Sequence, residues 1–162
     1  MLCHRPPLVA VLLSVACACS SSTPRREGRD SEVRSGVLQT FDSLARAIRA
    51  LNVEEMLSFY STDSSIVRAL DGRLISGRAA VERDFREGFR GVRSIDRLQV
   101  LARHAAVLGP QSAVLTVQLD EAFTDTAGRV TAVRATWTSA WQFQAGHWRI
   151  VQDAAVHAAA TP

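Results

Sequence analysis

From Val37 onward, the apolar residues Val37, Phe41, Leu44, Ala45, Ile48 and Leu51 recur every three or four positions, with Asp42, Arg46 and Arg49 between them. That is the stripe of an amphipathic helix. Asn52 followed by Glu55 has capping-box spacing, so Val53, Met56, Leu57 and Tyr60 carry a second, short helix onto the same core. Ser64 to Leu70 and Arg73 to Ser76 flank Asp71-Gly72, a dipeptide suited to a tight β-hairpin turn. Gly77 opens a third helix, with Val81, Phe85 and Phe89 on its buried side. Glu82 with Arg86 and Arg83 with Glu87 are spaced to pair on its wet side, and Gly91 ends it.

The remainder is a meander, with segments near Ile95 to Leu108, Ala113 to Thr124, Val130 to Gln144 and Trp148 to His157. Gly109 to Ser112, Asp125 to Gly128 and Gln144 to His147 are its turns. Ala113, Leu115, Val117 and Leu119 share one strand face, as do Val133, Ala135, Trp137, Ser139, Trp141 and Phe143. The pattern predicts one α+β domain over residues 31–157, large enough to bury a core without metal or disulfide support. A short tail, 158–162, is expected to be disordered.

All three cysteines, Cys3, Cys17 and Cys19, fall in the first nineteen residues, so the domain holds no disulfide and no thiol nucleophile. Residues 1–18 read as an export leader: His4 and Arg5, then the apolar run Leu8 to Val15, then Ala16-Cys17-Ala18 as a small-residue cleavage site. Cys19 ahead of a serine run resembles a bacterial lipobox, with Ala16 where leucine is usual. Its lipidation would anchor the chain to a membrane through a flexible polar tether, residues 19–30. Cleavage after Ala18 would instead release a soluble secreted protein. Either fate puts the domain outside the cytoplasm, in the periplasm, at the outer membrane or cell surface, or secreted.

Charge narrows the chemistry. Nineteen cationic against 16 anionic side chains leave a formal net charge of +3, too little for a nucleic-acid surface. Every one of those cations is arginine, which excludes lysine Schiff bases, a Walker lysine and Ser-x-x-Lys acyl transfer. The histidines have neither H-x-H nor H-E-x-x-H spacing, so no metal site and no cofactor are expected.

Three stretches carry a family resemblance: Asn52 to Asp63; Asp71-Gly72 leading to Gly77-Arg78-Ala79-Ala80-Val81; and Gly146-His147-Trp148-Arg149-Ile150-Val151-Gln152-Asp153. Together with the element order they resemble the SnoaL-like branch of the nuclear-transport-factor-2-like superfamily. The resemblance implies a cone-shaped roll, in which about three N-terminal helices close the concave side of a curved, mainly antiparallel sheet into an apolar pocket. Laid over the ketosteroid isomerases of that superfamily, the base aspartate falls on Arg68, the oxyanion-hole tyrosine at about Leu44 and the protonated acid near Ser139. None of these substitutes can play the part it replaces. The same overlay turns Val151, Asp153, Ala155 and His157 toward the pocket and makes Asp153 the acid/base candidate.

The pocket is therefore expected to be lined by Phe41, Leu44, Tyr60, Arg68, Glu121, Trp137, Trp141, Asp153 and His157. Glu121 sits on the apolar parity of its strand, where a carboxylate needs a partner such as Arg68 or Arg134 unless the strand end is in solvent. Three readings follow: a domain that binds a small apolar molecule; an isomerase, dehydratase or cyclase using Asp153; and a module that pairs with a second copy. That pairing would use the outer sheet face of Arg134, Thr136, Thr138, Ala140 and Gln142. A pocket of roughly 300 Å³ is the size both ligand readings ask for.

Overall fold

A computed structural model describes the backbone of residues 24–159 and the side chains of 27–158. The leader and Cys19 lie outside the described residues. The elements run α1 (Pro24–Arg49), α2 (Val53–Ser58), β1 (Val67–Leu70), β2 (Arg73–Ser76), α3 (Arg78–Arg90), β3 (Val92–Gly109), β4 (Ser112–Asp125), β5 (Val130–Gln144) and β6 (His147–Ala159). The strands form one six-stranded sheet in the order β2-β1-β6-β5-β4-β3. All neighbours are antiparallel except β1 and β6, which run parallel.

Local chemistry accounts for the joints. Asn52 caps α2, its side-chain oxygen accepting from the Glu55 N–H at 3.1 Å while its amide donates to the Glu55 carboxylate at 3.0 Å. Asp71 and Gly72 both take positive φ, 47° and 82°, the left-handed pair a two-residue hairpin demands. Arg78, at the start of α3, donates to the carbonyls of Leu57, Tyr60 and Ser61 and so ties the end of α2 to α3. Gly36 lets α1 lie against Trp148, since a Cβ there would come within 2.6 Å of the indole nitrogen.

Four details depart from the sequence expectation. First, α1 reaches back to Pro24, through the last part of the stretch expected as a tether. Val33 and Val37 are buried and hold the helix, and a helix already nucleated propagates cheaply into polar sequence. Leu51, expected on its apolar stripe, instead follows its end at a positive φ of 51°. Second, β6 runs past His157, because Ala158 and Ala159 pair with Arg134 and Val133. Third, Glu82 pairs with Arg78 rather than Arg86, and Arg86 reaches across to Glu54 on α2. Helix-to-helix packing brings Glu54 to Arg86, which the spacing within α3 does not register.

The fourth departure shapes the interior. Trp141 pairs with Ile150 while Ala140 pairs with Gln152, so Val151 is an extra residue in β6, a β-bulge. Ile150 and Asp153 are buried on either side of it, and Val151 loses its expected place on the pocket face. The core lies between the concave sheet face and the helices: Val37, Phe41 and Leu44 from α1, Met56 and Leu57 from α2, Val81 and Phe85 from α3, and Leu115, Val117, Trp137, Trp141 and Ile150 from the sheet. Among the described residues no helix is long and apolar enough to cross a membrane.

Candidate functional site

The helices do not fill the concave face. A cavity of about 210 Å³ remains between α1, α3 and the far halves of the long strands, open to solvent at one end. Phe41, Leu44, Ile48, Phe85, Phe89, Leu98, Phe123 and Trp137 supply its apolar walls. Its polar lining comes from Tyr60, Arg68, Arg97, Glu121, Asp153 and His157.

Asp153 lies deep in this cavity, with only 2% of its surface exposed. Strand pairing places it between Arg68 on β1 and Ser139 on β5. Tyr60 comes from the residues just after α2, where it bridges to Ile150 of β6. Its hydroxyl donates to Asp153 Oδ2 at 3.0 Å, and the Trp137 indole N–H donates to the same oxygen at 2.9 Å. Arg68 brings its Nε to 3.9 Å from that oxygen, stacks over the Phe85 ring at 3.8 Å and meets Asp84 at 3.6 Å on its other side. Asp153 Oδ1 and Arg68 Nε are buried without a hydrogen-bond partner among the described residues.

Burial pushes the Asp153 carboxyl above its ordinary range; the nearby Arg68 charge and the bonds from Trp137 and Tyr60 oppose that without cancelling it. Tyr60 is driven well up by its own burial and then by the Asp153 charge. The site thus holds a carboxyl that keeps its proton more readily than usual, oriented through one oxygen and unengaged at the other. Such a group can accept or donate a proton, or anchor a polar atom of a ligand.

The open end has a different character. His157 donates its backbone N–H to Asp71 Oδ1 at 2.9 Å, and its Nδ1 lies 2.8 Å from Oδ2. These bonds hold Asp71 below the usual carboxylate range. Glu121, on the cavity wall nearby, is pushed up by burial. Among the described residues no group of three His, Cys, Asp or Glu side chains is placed to hold a metal ion.

The sequence profile of the SnoaL-like domain matches residues 37–156. This chain belongs to the SnoaL-like family. Solved structures share the fold of this SnoaL-like domain at low identity. One, from Streptomyces avermitilis and described as a dehydratase of the nuclear-transport-factor-2-like family, superimposes with a TM-score of 0.71 at 16% identity, covering 80% of this chain and 99% of its own. A type 2 hexachlorocyclohexane dehydrochlorinase gives 0.70 at 7% identity, over 84% of this chain and 92% of that one. An uncharacterised Caulobacter vibrioides protein with a cystatin-like fold gives 0.66 at 14%, over 78% and 90%. No curated protein matches the SnoaL-like chain in sequence.

Of the residues expected around the pocket, Phe41, Leu44, Tyr60, Arg68, Glu121, Trp137, Asp153 and His157 do line it. Trp141 does not, and that expectation is corrected. It faces inward, but it is sealed away from the cavity, edge-on to Trp137 at 6.5 Å, with its N–H donated to Ser139 Oγ at 2.8 Å. Glu121 is paired with neither Arg68 nor Arg134. Sequence reasoning missed the walls from Phe85, Phe89, Leu98 and Phe123 and the charge of Arg97. The spacing of Phe85 and Phe89 marked the buried side of α3, yet nothing in it distinguishes a cavity wall from packed core.

Proposed function

We propose that this SnoaL-like domain binds one small, mainly apolar molecule in its cone cavity, with Asp153 as the polar anchor. The observation that carries the reading is a carboxyl deep in an aromatic-walled cavity, held at Oδ2 and unpartnered at Oδ1. Size sets a limit. The cavity is about 210 Å³, short of the roughly 300 Å³ that the sequence reading asks of a ligand pocket. The ligand must be smaller than that reading implies, yet the space exceeds the roughly 150 Å³ void that holds a benzene molecule. That size suits a single-ring compound better than a steroid. Export by the leader and anchoring through Cys19 complete the proposal, placing the cavity outside the cytoplasm.

A second reading, an acid/base enzyme, is favoured by the raised Asp153 carboxyl in the same place. One experiment serves both. Native mass spectrometry of the full chain, purified without denaturation from its own host, should show an adduct with the mass of a small organic molecule that is lost on denaturation. Only the bare polypeptide mass would count against a resident ligand. If the molecule so identified is chemically transformed on incubation, Asp153→Asn should end that turnover, and unchanged turnover would remove Asp153 from the chemistry.

A further inference from the structure

Glu121 is the feature of the cavity that its own neighbours do not explain. It stands on β4 between Leu119 and Phe123, opposite Leu98 of β3 and Val133 of β5, an apolar setting for a half-buried carboxylate. Among the described residues it has no hydrogen bond and no ion pair. The cations around the cavity are committed elsewhere: Arg97 to Asp120 at 3.0 Å, Arg68 between Asp84 and Asp153. His157, which lines the same cavity, has its Nδ1 turned to Asp71. A carboxylate withdrawn from water without a partner is costly, and a cation brought in by a ligand would relieve that cost. Phe89 and Phe123 line the same cavity, and aromatic faces attract organic cations.

We propose that the cavity selects a protonated amine, its apolar ring between the aromatic walls and its ammonium group against Glu121 near the open end, which leaves Asp153 Oδ1 to anchor a second polar atom where the ligand carries one. This rests on the cavity being the ligand site and names the class of ligand that site takes. A carboxylate ligand is disfavoured by the same arrangement, because the unpaired Glu121 repels it and both lining arginines already face acids of the protein, Arg68 facing Asp84 and Asp153 and Arg97 facing Asp120.

The test is calorimetric titration of the full chain at neutral pH with benzylamine, benzyl alcohol and phenylacetate, which share a ring and differ in the charge of the polar end. Benzylamine should bind roughly tenfold or more tighter than benzyl alcohol, the advantage of a charged hydrogen bond over a neutral one, and phenylacetate weakest. Glu121→Gln should bring the amine down to the alcohol's affinity. Added salt should weaken the amine only modestly, because a partly buried pair is poorly screened, and leave the alcohol unchanged. Alcohol bound as tightly as the amine, or an amine preference that survives Glu121→Gln, would overturn the amine assignment while leaving the cavity as a ligand site. Failure of all three compounds to bind would overturn both.

Discussion

Asp153→Ala should destabilise the domain by roughly 2–5 kcal/mol, whereas Asp153→Asn at neutral pH should cost far less. The alanine variant strands the Tyr60 hydroxyl and the Trp137 N–H, both of which donate to Asp153 Oδ2, and leaves Arg68 with only Asp84. The asparagine side chain keeps an oxygen acceptor for both donors. pH separates the charge from the hydrogen bonds. Because burial holds Asp153 above its ordinary value of 3.8, the folded chain keeps this proton more tightly than the unfolded one. The contribution of that proton to stability is fully present below the ordinary value and is lost as pH rises through the higher folded value. The D153N amide does not titrate, so the variant should gain on the native protein as pH rises. Taking the difference between the two proteins cancels the carboxylates that titrate the other way, Glu54, Asp63, Asp71, Asp96 and Asp125, which are held low by their hydrogen bonds. Urea denaturation of both at about pH 4 and about pH 8 reads this directly; a gap that stays constant, or moves against the variant, would show that burial does not dominate at Asp153.

Trp141→Ala should be the most damaging change away from the cavity, costing roughly 3–5 kcal/mol and lowering Tm by roughly 10 °C or more. Trp141 is 1% exposed and packs edge-on against Trp137, so the deletion opens a void behind the cavity wall. It also leaves Ser139 Oγ without its donor. Trp141→Phe refills most of that space and should lose clearly less. The check is the denaturation midpoint of both variants; a Trp141→Ala loss under roughly 1 kcal/mol would place Trp141 outside the packed core.

Regular segments were legible in the sequence and irregularities were not. Strict alternation from Ala113 to Leu119 and from Ala135 to Trp141 marks strands whose buried sides the structure reproduces. Asn52 with Glu55 and Asp71-Gly72 mark joints whose chemistry is entirely local. The bulge at Val151 depends on how β6 meets β5, a long-range property, and parity counting along β6 cannot detect it. Trp141 has the right parity, but whether it reaches the cavity depends on the curvature of the sheet. That Glu121 pairs with neither Arg68 nor Arg134 is hidden from the sequence for a similar reason. Arg68 is drawn to Asp84 and Asp153 by α3 and β6, and no spacing in the sequence records that convergence.

The central claim is that the cone cavity takes a small ligand, and an NMR titration of the full chain with benzyl alcohol, followed at the tryptophan indole N–H signals, tests it most directly. Trp137 lines the cavity, Trp141 lies behind it, and Trp148 lies in a separate surface groove beside Phe143 and Arg149. A saturable shift at Trp137, a smaller one at Trp141 and none at Trp148 is the predicted result. No saturable shift at Trp137, or a shift at Trp148 alone, would contradict it.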